Sequence, residues 1–118
     1  NRTKQKAEQL KKQYPKIIVI DWGDKPEICD MVINTTSVGL TKEEKLDLDF
    51  NEYQNHNNTI FYDVIYNPKE TNFLRDAKSR GNKIMNGKMM FLGQAKESFK
   101  MWTNVSPEID DEVIKLIE

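Results

Sequence analysis

Short apolar runs separated by helical patterns constrain this 118-residue chain more than any other feature. Ile17-Ile18-Val19-Ile20, Met31-Val32-Ile33 and the stretch from Thr59 to Tyr66 are rich in β-branched and aromatic residues. Such runs suit parallel strands, which are buried on both faces and joined by crossovers rather than tight turns. The chain between them supplies helices. Residues 3–14 place Ala7, Leu10 and Tyr14 on one stripe, with Thr3 as N-cap and Pro15 as the stop. Thr71 caps a helix from Asn72 to Arg80 that buries Phe73, Leu74 and Ala77 and ends at Gly81. Asn82 to Asn86 reads as a short strand around Ile84 and Met85. Gly87 then turns the chain into a helix over 88–103, and Ser106-Pro107-Glu108 starts a last one over 107–118. The order αβ, β, β, αβ, α, α predicts an α/β fold, a parallel sheet with helices on both faces. Residues 1–118 read as one domain, or most of one.

The charge balance narrows the partners. With 18 basic and 19 acidic residues, nothing favours a nucleic-acid or membrane surface. No apolar run approaches the ~20 residues that span a bilayer. No signal-peptide pattern is seen, and the single Cys29 cannot form an internal disulfide, so a cytoplasmic protein is expected. Asn1 opens without a lead-in and a helical pattern begins at about Thr3, as in a chain cut at a strand–helix junction.

Four segments carry groups suited to chemistry. In Tyr62-Asp63-Val64-Ile65-Tyr66-Asn67-Pro68 the proline must end the strand. That leaves Tyr66 at a carboxyl end, where open α/β sheets bind ligands. Asn1-Arg2-Thr3, with Lys6 one turn on, offers two cations, small polar side chains and helix-start N–H groups. The set suits a phosphate monoester; the plainer reading is a solvated basic helix start. Asn34-Thr35-Thr36-Ser37-Val38-Gly39 follows an apolar run and serves either as local capping or as a ligand wall. Met90, Gln94 and Ser98 share one face of the 88–103 helix, while Leu92, Ala95, Phe99 and Trp102 form the stripe expected to face the core. His56 lies in a polar loop and reads as solvated. No Cys/His cluster has metal-ligand spacing, and no Gly-rich phosphate loop is present.

Taken in order, these four segments resemble the C-terminal, NADP-binding half of shikimate dehydrogenase, over nearly the whole chain. The resemblance implies a Rossmann-like sheet, truncated at its N-terminal side, in an enzyme that interconverts 3-dehydroshikimate and shikimate with NADPH and NADP. It implies that Asn1, Arg2, Thr3 and Lys6 surround the adenosine 2′-phosphate and that Thr36 and Ser37 lie along the cofactor. Val64 would meet the nicotinamide through its backbone, Gly87 would approach the same end, and Met90 would lie beside it. Tyr66 and Gln94 would hydrogen-bond the substrate. Asn86, Lys88, Met89 and Asn72 depart from the family's usual residues, without removing a polar group assigned to the substrate. The Gly-rich loop and the N-terminal domain with its catalytic Lys and Asp are expected to be missing, so no catalytic residue falls in this chain and the chain alone should be inactive. An outward-facing last helix would expose Ile109, Val113 and Leu116 and favour a homodimer. The rivals are a quinate/shikimate dehydrogenase preferring NAD and a non-catalytic nucleotide-binding module. Asp21 mimics the ribose-binding acid of an NAD site but follows the wrong strand.

Overall fold

The computed structural model describes residues 3–41, 43–54 and 58–117; Asn1, Arg2, Lys42, Asn55, His56, Asn57 and Glu118 lie outside the described residues. Three strands form one parallel sheet: β1 (Met31–Asn34), β2 (Ile60–Asp63) and β3 (Lys83–Met85), in spatial order β1-β2-β3. Among the described residues four α-helices accompany it: α1 (Lys4–Gln13), α2 (Asn72–Ser79), α3 (Lys88–Thr103) and α4 (Asp111–Lys115). The expected parallel α/β sheet with helices is present, and among the described residues its buried core lies on one face of the sheet rather than on both. Among the described residues no helix is long and apolar enough to cross a membrane.

Each step of the chain moves one strand along the sheet, and right-handed crossovers in that order fall on the same side. The core reflects this. The first connection contributes Phe50 and Tyr53, from a single 3-10 turn at Asn51–Tyr53, and the second contributes Phe73, Leu74 and Ala77 from α2. All pack on the face that carries Val32, Phe61 and Ile84. Phe61 meets Phe50, Tyr53 and Phe73 with ring centroids 5.3 to 5.5 Å apart, in edge-on or tilted contacts. The Tyr53 hydroxyl donates to the Glu27 carbonyl at 2.6 Å, and burial holds the phenol far above its ordinary titration range. On the opposite face Met31, Ile33 and Met85 stay about half exposed.

Four expectations are corrected. Ile17–Ile20 forms no strand: Ile17, Ile18 and Ile20 are exposed, and their backbone finds no ladder partner among the described residues. β-Branched composition makes a strand only where a neighbour accepts its hydrogen bonds. The strand drawn to Tyr66 ends at Asp63, because the Asp63 carboxylate takes the Ile65 N–H at 3.0 Å and turns the chain. The last helix is Asp111–Lys115 rather than 107–118, since Asp110 caps it by accepting from the Val113 N–H at 2.9 Å. Of the stripe on α3 only Leu92 is buried, and Trp102 is 81% exposed, because α2 rather than α3 lies across β2 and β3.

Candidate functional site

Because the strands are parallel, the segments after β1, β2 and β3 emerge at the same end of the sheet. They are Thr35–Gly39, Val64–Tyr66 and Asn86-Gly87. A buried polar network fixes the first two. Asn34 and Asp63 are Cα partners in the register, and both are buried. The Asn34 amide donates to both Asp63 oxygens at 3.2 Å and to the Val38 carbonyl at 3.0 Å. Its oxygen accepts from the Thr36 N–H at 3.0 Å and the Thr36 hydroxyl at 2.7 Å. Asp63 also accepts the Thr71 hydroxyl at 2.6 Å, while the Thr71 oxygen accepts from the Leu74 N–H at 3.4 Å, the expected cap of α2. One carboxylate therefore ties together the turn after β1, the bend after β2 and the start of α2. Glu44 closes the loop further on by accepting from the Gly39 and Thr41 N–H groups, which lowers its pKa.

The third segment is joined to the second through Gly87. A Cβ there would lie 1.9 Å from the Val64 carbonyl oxygen and 2.5 Å from its carbon. Only glycine lets the start of α3 lie against the end of the central strand. The Gly87 N–H donates to the Ile65 carbonyl at 3.2 Å, and Phe91, in the first turn of α3, stacks on Tyr66 with centroids 4.6 Å apart and planes 23° apart.

Two concavities flank these strand ends. An open cleft of ≈ 830 Å³ is lined by Thr3, Lys6, Thr35, Thr36 and Ser37 together with Trp22, Lys45 and Asp47. Four of the residues picked from sequence, Thr3, Lys6, Thr36 and Ser37, are thus brought together across a gap of some thirty positions. Lys6 and Lys45 give the cleft two cations beside hydroxyls, a donor set suited to a phosphate-bearing ligand. Asn1 and Arg2 lie outside the described residues. A second pocket, ≈ 320 Å³, is lined by Tyr66, Asn67, Lys69, Asn86, Lys88 and the end of the chain at Leu116 and Ile117. Met90 and Gln94 stand exposed on α3 and line neither. Asp21 is held by Lys4 of α1, 2.7 Å away, and that hydrogen bond raises the Lys4 pKa.

Trp22, Lys45, Asp63 and Phe91 were not singled out from the sequence. Trp22 and Lys45 reach the cleft through long-range backbone bonds, Gly23 N–H to the Asp47 carbonyl at 2.7 Å and Asp49 N–H to the Asp24 carbonyl at 3.2 Å, which no local pattern announces. Asp63 carried a signal, a charged residue inside an apolar strand run.

No family model matches the chain. The NADP-type shikimate dehydrogenase of Pelagibacter ubique strain HTCC1062 is 46% identical over 118 residues, which are all of this chain and 43% of that protein. The shikimate dehydrogenase of Aquifex aeolicus superposes with a TM-score of 0.73 at 34% identity, over 99% of this chain and 42% of that one. A shikimate dehydrogenase solved in complex with NADP+ matches with a TM-score of 0.60 at 32% identity, over 75% of this chain and 30% of that one. The chain thus spans about two fifths of the length of the curated relatives it matches. Along that span sequence and fold agree on a Rossmann-like sheet, and the chain belongs to the shikimate dehydrogenase family.

Proposed function

We propose that this chain is the cofactor-binding part of an NADP-dependent shikimate dehydrogenase, which interconverts 3-dehydroshikimate and shikimate. The observation that carries this reading is the convergence of three strand ends. The cationic, hydroxyl-lined cleft lies toward β1, Tyr66 and its pocket lie toward β3, and the Val64–Gly87 contact lies between them. The donor set fits the cofactor: cations and hydroxyls for phosphate, and the backbones of Val64 and Gly87, packed on each other, for the nicotinamide end.

Bound NADPH supplies the hydride. Asn1, Arg2, Thr3 and Lys6 would hold the 2′-phosphate, with Thr36 and Ser37 along the dinucleotide. The Val64 backbone, Gly87 and Met90 would face the nicotinamide end. Tyr66 and Gln94 would orient the substrate by hydrogen bonds. These side chains would bind and orient; the proton that accompanies the hydride would be moved by residues outside this chain.

Two measurements test the reading. In the full-length enzyme Arg2→Ala should raise the KM for NADPH about 30-fold, the worth of charge-assisted hydrogen bonds to phosphate, and leave the KM for NADH nearly unchanged. Equal losses with both cofactors would remove Arg2 from the phosphate site. Residues 1–118 alone should show no turnover with NADP and shikimate, because the proton-transfer groups are lacking. Clear steady-state activity would overturn the assignment of this chain as a cofactor-binding part.

A further inference from the structure

We infer that Phe91 is a positioning residue for the substrate: its ring holds the Tyr66 ring in one orientation, so that the phenol hydroxyl is presented at the site in advance. The inference rests on the reading of Tyr66 as a substrate contact.

Tyr66 sits past the end of the ladder, half-buried, where no strand neighbour restrains its side chain. Phe91 supplies the restraint. The two rings stack at 4.6 Å with 23° between their planes, a face-to-face contact that fixes where the tyrosine plane lies. The Tyr66 ring meanwhile lines the pocket that it shares with Asn67 and Asn86. The placement of Phe91 is itself set by backbone. Its N–H donates to the Gly87 carbonyl at 2.9 Å, and Gly87 lies against Val64, two residues before Tyr66. The stack therefore closes a short loop of contacts, Val64 to Gly87 to Phe91 to Tyr66, in which each member is fixed by the previous one. Phe91 and Gln94 are three positions apart on α3 and so share a face. One helix face thus carries both the brace for Tyr66 and the second substrate-directed group. An aliphatic side chain at 91 would fill space but would leave the phenol free to turn about its own bonds.

Four forms of the full-length enzyme test this: Phe91→Leu, Phe91→Tyr, Tyr66→Phe and the double variant Tyr66→Phe/Phe91→Leu. Shikimate affinity is measured by calorimetry alongside KM and kcat. Phe91→Leu should weaken shikimate binding and raise its KM about fivefold, the range of an aromatic pair, with kcat within about a factor of two. The KM for NADPH should not move, and the melting temperature should fall by no more than the few degrees that one aromatic pair is worth. Phe91→Tyr, which can still stack, should restore shikimate affinity. In the Tyr66→Phe background the added Phe91→Leu change should have no further effect, because the group being positioned is gone. If Tyr66→Phe weakens shikimate binding but Phe91→Leu does not, the role of Phe91 is lost and the proposed function stands. A Phe91→Leu enzyme that loses NADPH affinity and melting temperature together would make Phe91 a packing residue only, which also overturns the inference. If Tyr66→Phe itself leaves shikimate affinity unchanged, the reading of Tyr66 fails, and the inference with it.

Discussion

Gly87→Ala in the full-length enzyme should lower kcat/KM for shikimate about a hundredfold, the largest effect expected from any single methyl group in this chain. The added carbon would start 1.9 Å from the Val64 carbonyl oxygen, and both partners are backbone, so no side chain can swing aside. The start of α3 must retreat by more than about 1 Å to restore ordinary contact. The Gly87 N–H would then leave the Ile65 carbonyl, and Phe91 and Gln94 would move with the helix. The backbone at Gly87, φ −75° and ψ 4°, suits alanine, so the loss cannot be assigned to conformational strain. Overpacking of this kind costs about 3 kcal/mol, visible as a fall of several degrees in the melting temperature. Binding at the far side of the site, where Thr36 and Ser37 lie, should change less. An alanine enzyme with normal kcat/KM would mean that the helix start yields at little cost, and the close contact would lose its functional meaning.

Asp63→Ala should be the most destabilising substitution among the polar residues, by about 3 kcal/mol or more. It leaves the Thr71 hydroxyl, the Asn34 amide and the Ile65 N–H in a buried space without their acceptor. Unsatisfied buried donors are costlier than the bonds they made were favourable. The effect should spread to function, because Asn34 holds Thr36 by two bonds and is itself held by Asp63. NADPH affinity should therefore fall together with the melting temperature. Asp63→Asn keeps one acceptor but turns an NH2 toward neighbouring donors, so it should recover only part of the loss. Melting curves and NADPH titrations of the three enzymes decide the matter. An alanine variant that melts normally and binds NADPH normally would show that the network is dispensable.

The strands and helices that pack against one another were legible in the sequence. Met31–Ile33, Ile60–Tyr62 and Ile84-Met85 are apolar stretches within the three strands, and Thr71 and Gly81 bracket α2 through local chemistry that any reader of caps can find. Ile17–Ile20 misled because composition reports a preference for extended backbone, whereas a strand needs a partner. Ser106-Pro107 misled for a related reason: it is a good helix start, but Asp110 captures the Val113 N–H and starts the helix later. The cleft was half legible. Thr3, Lys6, Thr36 and Ser37 came from motif and resemblance, while Trp22 and Lys45 arrive through loop-to-loop bonds that only the folded chain contains. The Tyr66–Phe91 stack was hidden in the same way, since 25 positions separate its members and neither position is marked by periodicity.

The one-sided packing of the sheet also sorts its positions by what natural variation at them can report. Along β1 and β2, Val32, Asn34, Phe61 and Asp63 answer to the aromatic core and the polar network, so interchange there is limited by groups inside this chain. Their neighbours Met31 and Ile33, with Met85 on β3, touch little within the chain and stay about half exposed. Nothing in these residues' own surroundings forbids a polar side chain at them. If related proteins nevertheless keep positions 31, 33 and 85 apolar, the cause must be a body that lies on that face from outside the described chain. Period-two alternation of tolerance along β1, matched at position 85, is thus a readout of whether a neighbour covers that face, obtainable from sequences alone.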